Sequence, residues 1–524
     1  MSTTRCKVFA NLYKDSVTLM QLGARLRERD GVAQASCLMA TPANLAQLQD
    51  ADLTIETQAS PSDLLVVVRG DADACDAAID AAEAMLQSRG GAGDGDAAAF
   101  AAPLTSIALG IEADPGADLA LISVPGDYAA AEAMKALALG LHVMLFSDNV
   151  SIDEERAIKT AARAKGLLVM GPDCGTAIVN GVPLGFANVV RRGDIGLVAA
   201  SGTGLQEVTC RIHNLGGGVS QAIGTGGRDL KEEIGGITML QGLAALAEDP
   251  GTRVIVLISK PPAAAIARRI EDAAAAAGKP VVIHFLGASP ERTRTGVSSA
   301  GSLREAADMA VALAGAAAGS GSAATPSGAA VAALRERSAA MAATQTAVRG
   351  LFTGGTFCYE AQLAFLARRL ACSSNAPAKG AATFDEKSRL HGHVFLDLGD
   401  DDYTRGRPHP MIDPSLRDAT VRTHAADPQT AAILFDVVLG FGAHENPARG
   451  LAQALAESQR AARQEGRTLA LIGHVCGTDG DPQDKAAQVR ALEAAGAVIV
   501  GSNVEAAQLA ADLAVEIAAR GAAR

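Results

Sequence analysis

Apolar positions along this chain fall into two alternating patterns. Short, nearly continuous apolar runs have the length of strands buried on both faces, and between them apolar residues recur at helical spacing. Arg5–Ala10, Val32–Met39 and Leu64–Val68 read as strands, with helices over Asp15–Arg29, Pro42–Gln49 and Asp71–Gln87. This predicts a small α+β domain of ferredoxin-like type over residues 1–97. The glycine-rich stretch Arg89–Ala98 reads as a linker.

From Leu104 the alternation is βαβ. Leu119–Val124, His142–Phe146 and Leu167–Met170 are strands, and Tyr128–Leu139 and Asp153–Lys165 are helices. A Rossmann-like block over 98–190 is expected, with a ligand crevice at the strand C-termini. There is no G-x-G-x-x-G fingerprint, so a dinucleotide is not supported.

Residues 191–313 repeat the pattern with strands at 195–200, Val219–Ile223, Val254–Ile258 and Pro280–Phe285 and a helix over Pro262–Ala277, predicting a flavodoxin-type parallel sheet. The low-complexity stretch Ala314–Val331 and a helix running to Val348 separate it from the last block, so 314–345 reads as linker and helix. In 346–524 the strands Val394–Leu398, Ala431–Val438, Thr468–Ile472 and Ala497–Val500 predict a second flavodoxin-type sheet. The fold class is therefore α/β with a small α+β domain in front.

Three turns between strand and helix carry the candidate chemistry. Ser201-Gly202-Thr203-Gly204 closes one strand and opens a helix in which Glu207 follows; Gly354-Gly355-Thr356 repeats the design, with Glu360 behind it. The third, Gly440-Phe441-Gly442-Ala443-His444, ends the strand at 431–438. Small residues leave backbone N–H groups and the positive end of a helix open to one point, which is how proteins hold phosphate or carboxylate. Glu207 can orient a donor or act as a base, and His444 can donate to an oxyanion or act as an acid. Arg228, in the loop Gly224–Asp229, suits a two-pronged grip on a carboxylate. Each has a plainer reading: a capped helix, a solvated Glu, a structural His, a surface ion pair. His391 and His393 flank Gly392, but no Cys, Asp or Glu set converges on them in the sequence, so no metal is expected.

Composition narrows the field. The net charge is -12 with no long basic run, which speaks against nucleic acid. Only 3% of the 524 residues are aromatic, so the cores must be built from Ala, Val, Leu and Ile. The eight cysteines show no C-x-x-C pairing, and no apolar run approaches a membrane span or a secretion signal. A soluble cytoplasmic protein with reduced thiols and no membrane partner is expected.

Over nearly its whole length the chain resembles the FdrA family, relatives of the succinyl-CoA synthetase (acyl-CoA ligase) superfamily. The resemblance rests on SVPGDYAAAEA (123–133), MGPDCGTAIVNG (170–181) and GDIGLVAASGTGLQEV (193–208), similar to the ligase α subunit. It rests also on TGGTFCYEA (353–361), VFLDLGDD (394–401) and VVLGFGAHENPA (437–448), similar to the C-terminal lobe of the β subunit. It implies a CoA-binding-type domain at 98–190 and ligase-type lobes at 191–313 and 346–524, without an ATP-grasp half. Cys174 then reads as a packing residue. The α subunit's phosphorylatable His in Gly-His-Ala-Gly is replaced, because the matching segment ERTRTGVSSAGSL (291–303) has Ser299 before Ala300-Gly301.

The resemblance implies a subunit of an oxamate carbamoyltransferase of purine (allantoin) catabolism, exchanging a carbamoyl group between oxalurate and phosphate. Phosphate or carbamoyl phosphate would be the anionic small-molecule substrate, held by the helix starts without a phosphohistidine, with partner subunits and an oligomer expected. CoA is possible as a cofactor, with Lys14, Arg191 and Arg192 as the candidates for its 3′-phosphate. The alternatives are an acyl-CoA synthetase subunit that needs a separate ATP-grasp partner, and a non-catalytic CoA-binding or assembly subunit.

Overall fold

The computed structural model describes residues 3–51, 53, 59–87, 104–288, 294–315, 328–384, 391–404 and 408–523. They form two compact units, Met1–Val169 with Asp401–Asp413, and Met170–Asp400 with Pro414–Arg524. The linker at 89–98, most of the low-complexity stretch and the first three residues of segment 291–303 lie outside the described residues.

The first unit opens with β1 (Thr3–Phe9), α1 (Ser16–Arg27), β2 (Val32–Met39), α2 (Pro42–Asp50), β3 (Leu64–Gly70) and α3 (Ala72–Gln87). The strands form an antiparallel sheet in the order β1-β3-β2, with Val68 between Arg5 and Ala35. β3 is apolar at every second position on both sides for a reason. Leu64, Val66 and Val68 pack on Leu19, Leu22 and Leu26, while Leu65 and Val67 pack on Leu48 and Leu53. The Asp15 side chain caps α1 by accepting the Thr18 amide at 2.9 Å. Next come α4 (Ile107–Ala113), β4 (Leu119–Ile122), α5 (Gly126–Ala138), β5 (His142–Leu145), α6 (Ile152–Ala164) and β6 (Val169–Met170). Their small sheet runs β4-β5-β6, and Ser151 with Glu154 forms a capping box at α6.

The second unit holds two seven-stranded sheets. The first is built from β7 (Thr176–Val179), β8 (Val182–Gly185), β9 (Arg192–Ala200), α7 (Gly202–Asn214), β10 (Val219–Gly224), α8 (Ile237–Glu248), β11 (Val254–Ser259), α9 (Ala264–Ala275), β12 (Val281–Phe285), β13 (Val297–Ser299) and α10 (Leu303–Leu313). Its order is β13-β12-β11-β9-β10-β7-β8, parallel except for β7 and β8. After α11 (Gly328–Ala339) the second sheet uses β14 (Ala347–Phe352), α12 (Gly355–Ala367), β15 (Cys372–Ser374), β16 (Ala382–Thr383) and β17 (His393–Asp397). The chain then passes through α13 (Asp401–Thr404), which belongs to the first unit. It returns for α14 (Ser415–Ala426), β18 (Thr430–Val438), α15 (Pro447–Gln464), β19 (Ala470–Cys476), α16 (Lys485–Ala494), β20 (Val498–Val500) and α17 (Asn503–Ala523). The order is β16-β15-β17-β14-β18-β19-β20, and the recorded strand pairs are all parallel.

In each sheet the first parallel strand, β9 or β14, is central and later strands are added on both sides of it. Each sheet therefore has its topological switch at the C-terminal end of that strand, the place where open α/β sheets bind ligands. Ser201 and Gly354 stand at those two ends.

One sequence expectation is corrected here. The helix running to Val348 stops at Ala339, and Ala347–Phe352 is a fully buried central strand. Arg349 disguised it. Its guanidinium is buried in the strand and reaches Asp427 at 2.6 Å and the Gly392 carbonyl. Gly350 beside it has no room for a side chain, since a Cβ would lie 2.3 Å from the Phe395 ring and 2.8 Å from that of Phe352. Gly350→Ala is therefore expected to destabilise the second unit by about 1–3 kcal/mol through overpacking, read as a lower urea midpoint at unchanged slope.

Candidate functional site

α7 and α12 meet at their N-terminal ends. The Ser201 side chain caps α7, its Oγ accepting the Gly204 amide at 3.0 Å, and the same Oγ lies 2.6 Å from Thr356 Oγ1 in the first turn of α12. A Cβ on Gly354, the N-cap of α12, would stand 2.9 Å from Thr203 Cγ2. The contact is reciprocal. The second residue of each helix touches the cap of the other, and only glycine and small hydroxyl residues permit that approach. Sequence candidates 153 positions apart, Ser201–Gly204 and Gly354–Thr356, are thus brought to one place.

The two helix starts are not supported alike. α12 has no side-chain cap of its own; Asp436 on β18 accepts the Thr353 amide (2.7 Å), the Thr353 hydroxyl (2.9 Å) and the Gly354 amide (2.8 Å). Asp397, at the end of β17, lies against Gly355, where a Cβ would sit 2.3 Å from its Oδ2. Burial pushes the Asp397 carboxyl up to about 6, opposed by the cation of Lys260. Lys260 directly follows β11, whose Ser259 is in register with Ala200, so it stands beside Ser201 on the neighbouring strand. The amides of Gly202, Thr203, Gly355 and Thr356 take no protein acceptor among the described residues. Four donors, two hydroxyls and a lysine therefore converge where two helix dipoles point.

Glu207 and Glu360 occupy the same place on their helices, each six residues beyond the cap. Both are buried, at 3% and 5% exposure, so the solvated reading of Glu207 falls. The Glu207 carboxylate is 2.8 Å from His474 Nε2 on β19, and Oε1 accepts the Asn503 amide at 3.4 Å. Burial alone would raise this carboxyl, but His474 holds it below its ordinary value and is itself held protonated against the same burial. Glu360 meets Asn503 Nδ2 (2.8 Å) and the Leu303 amide (3.2 Å) instead of a cation, and burial carries it up to about 7.

The other candidates sit on different loops. His444 is half-buried on the loop after β18, its Nδ1 accepting the Asn446 amide at 3.0 Å; a Cβ on nearby Gly442 would meet Phe186 at 2.9 Å, with Ala443 beside it. Arg228 follows β10 in a loop whose Gly226 is pressed on Pro172. Ser299 lines a cavity of about 890 Å³ together with Tyr359 of α12 and Lys379. His393 Nδ1 accepts the Val348 amide at 3.1 Å and its ring packs on Phe365, a structural role; His391 is exposed. Cys174 is buried, as a packing residue should be.

Sequence reasoning missed Asp397, Asp436, Lys260, His474 and Asn503. The second and fourth share a signal: each is a charged-type side chain in the interior of a strand whose immediate neighbours are small or apolar.

Comparison with known proteins agrees with this layout. The family model for CoA-ligase matches residues 351–513, that for the CoA binding domain 190–287, and that for the AllF heavy metal-associated domain 1–102. The CoA-binding match spans β9 to β12 of the first seven-stranded sheet. Protein YahF of Escherichia coli is 42% identical over 505 residues, 95% of this chain and 96% of its own. The chain belongs to the YahF family. The family stands within the CoA-ligase superfamily. The ADP-forming sulfoacetate-CoA ligase subunit SauD of Bilophila wadsworthia is 28% identical over 162 residues, 30% of this chain and 54% of its own. Subunit alpha 2 of the ADP-forming succinate–CoA ligase of Archaeoglobus fulgidus is 28% identical over 198 residues, 36% of this chain and 65% of its own. The chain therefore spans a little over half to two thirds of the length of these two ligase subunits. No helix among the described residues is long and apolar enough to cross a membrane.

The unequal glutamates of this YahF relative give a pH signature. A carboxyl raised to about 7 in the folded state is ionised more readily once unfolded, so its burial costs stability increasingly as pH rises from about 4.5 through 7. Glu360→Gln removes that dependence. The unfolding free energy of the variant, minus that of the wild type, should shift in the variant's favour between about pH 5 and pH 8 in paired denaturant titrations.

Proposed function

We propose that this chain is a subunit of an acyl-transfer enzyme in which the acyl group is carried as an acyl phosphate at the paired starts of α7 and α12. The observation that carries the reading is the Ser201–Thr356 contact of 2.6 Å, which focuses two helix N-termini on one point. Phosphate there would take the amides of Gly202, Thr203, Gly355 and Thr356 and the charge of Lys260, donors fixed before the reaction begins. Gly204 supports the turn, and Arg228, Gly442, Ala443 and His444 stand on loops at strand C-termini, from which they can meet the rest of a substrate. Glu207 acts from behind by holding α7 to β19.

The substrate pair follows from the resemblance to FdrA. A phosphate oxygen attacks the carbamoyl carbon of oxalurate, the C–N bond to the oxamate nitrogen breaks, and that nitrogen takes up a proton. The products are carbamoyl phosphate and oxamate. Ser299 supports this version, because a serine in place of the phosphorylatable histidine calls for chemistry without a phosphohistidine. Partner subunits would complete the site; the ligase relatives are themselves subunits.

A second reading has its own support. The matches to the CoA-ligase and CoA binding domain models favour an acyl-CoA synthetase subunit working with a separate ATP-grasp partner, with CoA as cofactor. One experiment separates them. Purified protein, alone and with the products of neighbouring genes, is given oxamate and carbamoyl phosphate, and phosphate release is followed. Release that falls roughly 10²-fold in Ser201→Ala or Thr356→Val, the scale for losing one oxyanion donor, is the expected result. ATP- and CoA-dependent thioester formation without such release would replace it with the ligase reading.

A further inference from the structure

About six residues into α7, behind the anion turn, four side chains with ligand chemistry converge. Glu207 and Cys210 lie three apart on one helix face. His474 and Cys476 lie two apart on β19, so they project to the same side of the strand. All four are buried, with exposures of 3%, 3%, 4% and 1% in that order. The ligand atoms of Glu207, His474 and Cys476 lie within 4.8 Å of one another. Cys210 lines the same cavity as these three and neighbours Cys476 there.

We infer that Glu207, Cys210, His474 and Cys476 form a site for one thiophilic divalent cation of the zinc class. Two sulfurs, one imidazole and one carboxylate are a zinc-type donor set. Bond lengths near 2.0–2.3 Å put the ligands of a tetrahedral ion roughly 3.3–3.8 Å apart, so the spread of Glu207, His474 and Cys476 within 4.8 Å closes by small side-chain movements.

The surroundings suit this role. His474 Nδ1 is 3.1 Å from the Val500 carbonyl, a bond that fixes the ring and turns Nε2 toward the cluster. A backbone carbonyl on the far nitrogen is the usual way a metal-binding histidine is oriented. Nε2 lies 2.8 Å from the Glu207 carboxylate, a spacing that an ion between them would replace, and because the thiols must ionise to bind it, binding releases protons. Charge also balances. Two thiolates and a carboxylate oppose the dication and Lys485, whose ammonium donates to the Gly477 carbonyl at 2.7 Å. Lys485 and all four ligands line a cavity of about 620 Å³, which gives the ion a way in.

Such an ion would tie α7 of the first sheet to β19 of the second, directly behind the paired helix starts. The site is independent of the acyl group transferred, so its test does not depend on activity. Wild-type full-length protein, reduced and stripped with a chelator, is titrated with Zn²⁺ against a chromophoric competitor, and in parallel with Co²⁺. One equivalent per chain is expected, with a thiolate-to-cobalt charge-transfer band, a higher Tm with Zn²⁺, and protection of two of the eight thiols from a thiol reagent. Cys476→Ser and Cys210→Ser should weaken binding by roughly 100-fold or more, above the range for losing an outer-shell partner, whereas His391→Ala should bind like wild type. Wild-type protein that takes up no Zn²⁺ or Co²⁺ overturns the inference. So does a stoichiometric ion that Cys476→Ser retains without loss of affinity.

Discussion

Two helix N-termini aimed at each other repel. Each carries the equivalent of about half a positive charge, and small residues at 201–204 and 354–356 bring α7 and α12 close enough for their caps to touch. The arrangement stands because buried acid is supplied from the sheets below. Asp436 takes three donors at the start of α12 and Asp397 lies against Gly355. An interaction of a charge with a helix end is worth about 0.3–1 kcal/mol, up to roughly 2 in partly buried geometry, so two carboxylates offset the repulsion without saturating it. The amides of Gly202 and Thr203 on α7 are left facing the gap, and an external anion completes what the protein's own carboxylates begin.

Those carboxylates explain why the central strands read as they do. Asp397 and Asp436 interrupt apolar runs because the C-terminal ends of β17 and β18 must deliver charge to a neighbouring helix start, while the rest of each strand is buried. The burial that raises both groups above their ordinary range is opposed by different means. For Asp436 the opposing force is its hydrogen bonds to Thr353 and Gly354, and for Asp397 it is the Lys260 cation. The site is thus graded from a satisfied, hydrogen-bonded acid on one side to an acid–lysine neighbourhood on the other.

Much of this was legible in the sequence. The apolar runs marked the strands from Val32–Met39 to Ala431–Val438, because strands buried on both faces leave an unbroken apolar stretch. The glycine and hydroxyl turns marked the two helix starts, because close approach leaves no other residues to choose from. Other features hid for physical reasons. β14 was masked by Arg349, whose charge is paid for by Asp427 and a carbonyl distant in sequence. The hairpin β7–β8 carried a readable signal, Asn180-Gly181 with both φ values positive, but its strands are short and its edge position weakens the alternation. The partners of Glu207 and Glu360 lie 267 and 143 residues away, a distance that local pattern cannot cross.

The equal placement of Glu207 and Glu360 makes their difference informative. Both stand six residues past a cap, both are buried, and the helices that carry them contact each other through their first turns. Geometry would make them twins; their neighbours do not. His474 keeps Glu207 charged, while Asn503 offers Glu360 only neutral hydrogen bonds and its carboxyl rises to about 7. Two ionised carboxylates behind one pair of helix starts would cancel much of the field that draws an anion there. With one neutralised by its histidine and the other largely protonated below neutral pH, the positive ends of α7 and α12 keep their reach. The asymmetry between His474 and Asn503 is what lets a nearly symmetric pair of helices remain an anion site.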